Sequence, residues 1–142
     1  MRSPAWSPVG SDDRYRYSAT VLSVFWPESQ HRAVIARWPH LAEHLGTTWD
    51  GHRQRIERHC ALADRNGLGV NQLPATLDGF VAFLAKRGVR KPCGDDLDAY
   101  PDLRDVTTAM VPWPPDRTGP CWCGSQRKYK QCCRRHGLGA LD

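Results

Sequence analysis

Between Pro27 and Gly88, most apolar residues fall at the three-to-four-residue spacing of amphipathic helices. Pro27 stands where a first helical residue is tolerated, Glu28 follows in the favourable first turn, and Val34, Ile35 and Trp38 supply one apolar face. Pro39 ends or kinks that helix. A second, shorter helix is expected from Pro39 through Leu41 and Leu45, with Gly46 as its stop. Thr47 or Thr48 can cap the next helix, which has the clearest pattern in the chain. Trp49, His52, Ile56, Cys60 and Ala63 share its apolar stripe, the other face is rich in Arg, and Gly67 follows. Thr76 caps a further stretch carrying Leu77, Phe80, Val81 and Leu84, closed by Gly88. Asp95, Asp96 and Asp98 precede a last segment, interrupted by Pro101, that runs to about Met110.

Outside these helices the pattern changes. The run Ala19 to Trp26 (ATVLSVFW) is largely apolar, and its length fits a short strand or a buried extended segment equally. Residues 1–18 are rich in Ser, Pro, Asp and Arg and lack a hydrophobic period, which predicts a mobile arm. The segment VPWPPDRTGP holds four prolines in ten residues, so it can form neither a regular helix nor a central strand and reads as a semi-rigid spacer.

Composition narrows the function classes. A chain of 142 residues with 40% hydrophobic content supports one domain with a modest core and a short appendage. No run approaches the roughly 18 apolar residues of a membrane span, which argues against an integral membrane protein. The opening MRSPAWSPVGSDDRYRY lacks the apolar core of a secretory signal, so a cytoplasmic location is expected. The net charge of +5 is local: residues 121–142 hold five Lys and Arg against one Asp.

The cysteines are equally uneven. Cys60 and Cys93 lie alone, while Cys121, Cys123, Cys132 and Cys133 fall within 13 residues. A bridge between the neighbours Cys132 and Cys133 would join Cα atoms about 3.8 Å apart, closer than disulfide geometry favours. Cross-bridges remain geometrically open, but a reducing compartment disfavours them. Four thiolates suit tetrahedral zinc, and thiolate-rich sites also accept iron. Cys121 and Cys123 share a tight turn relieved by Gly124, and Ser125 can cap a short helix leading to Cys132 and Cys133. Neighbours on a regular helix diverge by about 100°, so both can reach one metal only where the helix unwinds. His136, four residues after Cys132, is the alternative to Cys133 as the fourth ligand.

The segment CWCGSQRKYKQCC resembles the SEC-C motif, the zinc-binding element known from the C-terminal end of the bacterial translocation ATPase SecA. Cys121, Cys123, Cys132 and Cys133 occupy the ligand positions of that pattern, and Ser125, Arg127, Lys128, Tyr129 and Lys130 match its interior. Gln126 stands where the pattern usually has Gly, a costly exchange if the position needs positive φ. The resemblance implies a structural zinc site held by Cys121, Cys123, Cys132 and Cys133, with no open position for catalysis. It also implies a small bacterial protein in which the motif follows a helical region. Zinc binding of this kind contributes about 10 to 16 kcal/mol, so the metal-free segment is expected to be disordered beside a folded body.

In SecA the corresponding element docks a chaperone and acidic phospholipid, and docking is what the resemblance implies here. Arg127, Lys128, Lys130, Arg134 and Arg135 form the candidate partner-binding rim, suited to an acidic protein or ribosomal surface. Direct nucleic-acid binding is the alternative, with Trp122 and Tyr129 as stacking candidates. An enzyme with a site in the helical domain is the third reading. His40 and His44 are spaced for shared ligation but lack the Glu of a HExxH zinc site. His59 is poorly placed to activate its neighbour Cys60, Cys93 has no identifiable base, and Asp95, Asp96, Asp98 and Asp102 lack the ligand ladder and Gly of a calcium loop and are explained by helix capping. The expected fold class is therefore mainly α: a helical domain over 19–111, a Pro-rich linker over 112–120, a zinc knuckle of tight turn plus short helix over 121–136, and a tail over 137–142.

Overall fold

The computed structural model describes residues 19–100 and 110–136. The N-terminal arm, the segment that runs from Pro101 towards Met110 and the last six residues lie outside the described residues, so the expectations placed on them have no counterpart below. Strand β1 (Ala19–Phe25) leads into helix α1 (Glu28–Arg37), a 3-10 turn at Pro39–Leu41, α2 (Ala42–Leu45) and the long α3 (Trp49–Arg65). Strand β2 (Leu68–Pro74), α4 (Leu77–Arg87), α5 (Gly94–Ala99) and strand β3 (Val111–Trp113) follow, and two further 3-10 turns, Tyr129–Gln131 and Cys133–His136, end the described chain.

The three strands form one mixed sheet in the order β1-β2-β3. β1 and β2 are parallel, from Ala19 opposite Leu68 to Phe25 opposite Pro74, and α1 to α3 make the crossover that a parallel pair requires. β3 runs antiparallel to β2, with Val70 opposite Trp113 and Gln72 opposite Val111. The mainly α expectation is thus corrected to a mixed α/β fold. Two physical reasons account for the difference. β2 reads LGVNQLP, in which Gly69, Asn71 and Pro74 all disfavour strand by local propensity, and only its non-local pairing with β1 makes it one. In β3 the prolines exclude a central position, but Pro112 lies on an edge strand, where a missing N–H is tolerated.

Helix boundaries follow local chemistry closely. The Thr48 and Thr76 hydroxyls accept from the backbone N–H of Gly51 and Gly79, each at 3.0 Å, and so cap α3 and α4. Gly88 ends α4 in the left-handed region at φ 70°. Asp96 closes the start of α5 by accepting from the Cys93 N–H at 2.8 Å, the capping role expected of it, while Asp98 pairs with His44.

Trp26, Val34, Leu41, Leu45, Ala75, Phe80, Leu84 and Leu97 bury against one another to form the main core. Trp26 and Phe80 meet edge to face at 5.7 Å, and full burial of side chains this size is worth about 2 to 3 kcal/mol each. A smaller cluster of Cys60, Ala63 and Val70 fastens α3 to β2. The third cluster joins Phe25 of β1 to Cys121, Trp122, Cys123, Tyr129, Cys132 and Cys133, with Trp49, Ile56, Val111 and Trp113 packed around it. The cysteine-rich segment is therefore seated on α3 and the sheet.

Candidate metal centre

The chain reverses between residues 117 and 130. Lys130 N–H donates to the Arg117 carbonyl at 3.0 Å, Tyr129 N–H to Gly119 at 2.9 Å and Cys121 N–H to Arg127 at 2.8 Å. Within this reversal Gly124 takes φ 86°, a conformation that L side chains rarely adopt, and the turn sets Cys121 and Cys123 on one side. No α-helix forms between Gly124 and Cys132. Ser125 instead places its hydroxyl 3.2 Å from Cys132 Sγ and accepts from the Arg127 N–H at 3.3 Å. Cys132 lies between the two 3-10 turns at φ −125° and ψ −111°, outside any helical conformation. That break is what lets consecutive cysteines face the same point.

The sulfurs of Cys121, Cys123, Cys132 and Cys133 all lie within 4.8 Å of one another, and all four residues are buried. Among the described residues this is the group of Cys, His, Asp or Glu close enough to hold a metal ion, and His136 is not part of it. Such crowding makes the sulfurs share protons. Hydrogen bonds from Cys121 and then Cys133 drive Cys123 far below the ordinary thiol range, while Cys133 is driven up as donor to Cys121 and Cys123. Cys121 is pushed up to about 11 by its bond to Cys123. A divalent ion held by these four sulfurs would take the place of the shared protons and favour their ionised forms.

Two charged side chains of α3 complete the site, and neither was found from the sequence. Glu57 is 1% exposed and accepts three hydrogen bonds. Trp122 Nε1 donates to its Oε1 at 2.9 Å, Trp113 Nε1 to the same oxygen at 3.1 Å, and the Tyr129 hydroxyl to Oε2 at 2.5 Å. Burial raises the Glu57 carboxyl above its usual range, and the bonds from Tyr129, Trp122 and Trp113 oppose that rise. Arg53, one turn earlier, donates through Nη1 to Cys132 Sγ at 3.1 Å and to Cys123 Sγ at 3.6 Å. Its Nη2 pairs with Asp50, and its guanidinium lies 4.5 Å over the Trp49 ring. Burial works against the Arg53 charge, but the bonds to Cys123 and Asp50 outweigh it and hold the group further above its ordinary value. Trp49, Arg53 and Glu57 are spaced i, i+4, i+8, so they extend the apolar stripe of α3 by one column. Charged residues on the border of an apolar stripe, in a chain with four clustered thiols, were the available signal.

The remaining candidates separate. Arg127, Lys128, Lys130, Arg134 and Arg135 are all exposed on the cysteine-rich segment, and Arg127 Nη2 donates to the Gln131 carbonyl at 2.9 Å. Trp122 and Tyr129 are 6% and 2% exposed, so neither presents a face for stacking on a base. Cys60 is fully buried with its thiol pushed up to about 12 by burial, which makes it a core residue and a poor nucleophile. His40 bonds the Pro92 carbonyl at 2.6 Å and His44 bonds Asp98 at 2.9 Å, so both tie the α2 region to α5. Among the described residues no helix is long and apolar enough to cross a membrane.

Four buried thiols gathered this closely could hold a metal ion. Residues 117–135 match the family model of the SEC-C motif, a metal-binding motif, and the chain carries that motif in its C-terminal region. Neither curated proteins nor solved structures give a match to the chain.

Proposed function

We propose that this is a zinc-binding protein whose SEC-C segment docks onto an acidic protein or ribosomal surface. Cys121, Cys123, Cys132 and Cys133 are the ligands, and the observation that carries the reading is their gathering to within 4.8 Å in a buried cage. Four thiolates this close together suit zinc, whose role here is to cross-link the turn at Cys121–Cys123 to the 3-10 turns around Cys132 and Cys133. Arg127, Lys128, Lys130, Arg134 and Arg135 then surround the cage, giving residues 121–136 a net charge of about +3 with a divalent ion bound. Rigid exposed cations of one sign attract an anionic surface through a field that salt screens. Burial of Trp122 and Tyr129 favours this reading over base stacking on nucleic acid.

Native mass spectrometry of untagged, reduced protein tests the first half. One zinc per chain is expected, lost in Cys132→Ser and kept in His136→Ala; freshly prepared protein without metal would overturn the assignment. Co-sedimentation with ribosomes tests the second. Zinc-loaded protein is expected to pellet with ribosomes at low salt, and the variant with those five cations reversed to Glu is expected to stay in solution. Equal pelleting of both sinks the docking reading and leaves the zinc site standing.

A further inference from the structure

The Arg53 guanidinium is an unusual neighbour for a metal cage. It comes from helix α3, 79 residues before Cys132, yet it sits 3.1 Å from that sulfur and 3.6 Å from the sulfur of Cys123. Its side chain is only 11% exposed, and its Nε is buried without a hydrogen-bond partner. Taking a cation out of water is costly unless an opposite charge lies close by. Asp50, its carboxylate partner, is itself 70% exposed, so the counter-charge on the inner side of the guanidinium comes from the sulfurs. Trp49 fixes the plane of the group from the other side at 4.5 Å. Trp49, Asp50 and Arg53 lie outside the motif at 117–135, and the two sulfurs lie inside it.

We propose that Arg53 is a working part of the metal centre: held by Trp49 and Asp50, it neutralises charge on Cys123 and Cys132, so helix α3 sets the affinity of the cage. The proposal rests on the zinc reading above. Four thiolates around a divalent ion carry a net charge of −2, and a guanidinium donating to two of them reduces the charge the cage must hold. The cage is thus shared between the motif and α3, and its metal is held more tightly when both are in place. Arg53 is a positioning and charge-balancing residue, because it acts on the metal through the two sulfurs.

The test measures zinc affinity of the full chain by competition with a chromophoric chelator under reducing conditions. Arg53→Gln is expected to weaken binding by about 10- to 100-fold, the range typical of lost partners to metal ligands. Arg53→Lys, which keeps the charge, is expected to recover most of that loss. With cobalt in place of zinc, the sulfur-to-metal charge-transfer bands of Arg53→Gln are expected to shift relative to wild type, because two sulfurs lose their hydrogen bonds. Arg58→Gln is the control, since Arg58 lies on the same helix but donates to the His136 carbonyl at 3.3 Å and touches no sulfur. Wild-type affinity in Arg53→Gln overturns the proposal, as does an equal loss in Arg53→Lys or in Arg58→Gln, which would mark packing or general attraction as the cause. Absence of metal from the wild-type chain would instead overturn the zinc reading beneath it.

Discussion

The Tyr129 hydroxyl donates to Oε2 of Glu57 at 2.5 Å and so joins the cysteine-rich segment to helix α3 across 72 residues of sequence. Trp122 and Trp113 complete the join from the motif and from β3 by donating to the other oxygen of the same carboxylate. One buried acceptor therefore serves three donors on two separate segments. Apolar contacts of Phe25, Trp49 and Ile56 pack around it. The motif is held by a polar clamp inside an apolar seam.

That clamp sets the first expectation. Glu57→Ala leaves two indole N–H groups and a hydroxyl without their acceptor in a buried site, a loss on the order of 3 kcal/mol or more. Glu57→Gln keeps one carbonyl acceptor and removes a buried charge, so it is expected to cost clearly less. Urea unfolding of the metal-loaded protein at neutral pH measures both. Equal, small losses for the two variants would show that the apolar seam alone holds the motif.

Local chemistry was legible in the sequence wherever it is contained within a few residues. Thr48, Thr76, Gly46 and Gly88 bound their helices because a cap or a left-handed stop depends on the backbone beside it. The four clustered cysteines were legible for the same reason, since their spacing and the turn at Gly124 are local. β2 was not, because its strand character comes from pairing with β1 about 50 residues upstream and its own composition argues against it. β3 was hidden by prolines that matter only in a central strand. Arg53 and Glu57 looked like members of a solvated charged face. Their partners, Cys132 and Tyr129, lie more than 70 residues away, and no pattern within the helix could supply them.

His52 makes stability depend on pH. Its Nδ1–H donates to the Leu45 carbonyl at 2.9 Å, and its Nε2 accepts from the Trp26 N–H at 2.9 Å, so the neutral ring satisfies both neighbours. Burial, then the charge of the neighbouring His31, lowers its pKa from 6.5 to about 4. The unfolded chain therefore binds the proton more readily than the folded one. The His52 contribution is fully present above pH 6.5, declines as the pH falls, and is gone below about 4. A shift of this size corresponds to about 3 kcal/mol over the window. His52→Gln is expected to be less stable at pH 7 and to have a shallower pH slope between these limits. Parallel slopes for variant and wild type in urea titrations would refute the assignment.

Gly46 carries a second structural demand. It takes φ 97°, and a Cβ built there would lie 2.8 Å from the backbone nitrogen of His52, an atom fixed in the first turns of α3. Relief would require moving the helix, because no flexible side chain stands in the way. Gly46→Ala is expected to cost about 1 to 3 kcal/mol and to lower the melting temperature by several degrees. Gly88→Ala is the comparison, since Gly88 is also left-handed at φ 70° but a Cβ there meets nothing within 4 Å. A smaller loss is expected at Gly88, whose backbone is αL at ψ 26° and leaves room for a Cβ, whereas Gly46 sits at ψ 134° against the His52 backbone.

Gln126 tests whether the motif carries strain of its own. It is the non-glycine residue with positive φ among the described residues, at 71°, and it occupies the position where the SEC-C pattern usually has Gly. A left-handed conformation costs an L residue about 1 to 2 kcal/mol, whereas glycine adopts it freely. Glycine also loosens the unfolded chain by about 0.4 to 1 kcal/mol, which offsets part of the gain. The net expectation for Gln126→Gly is a stabilisation of about 0.5 to 1 kcal/mol, read as zinc held about two- to fivefold more tightly in chelator competition. Gln126→Ala should give no such gain, because alanine retains the Cβ that makes the angle unfavourable. The Gln126 side chain is exposed, so the comparison isolates the backbone. Tighter binding in both variants would place the effect in the side chain, and no change in either would show that the loop bears no strain at this position.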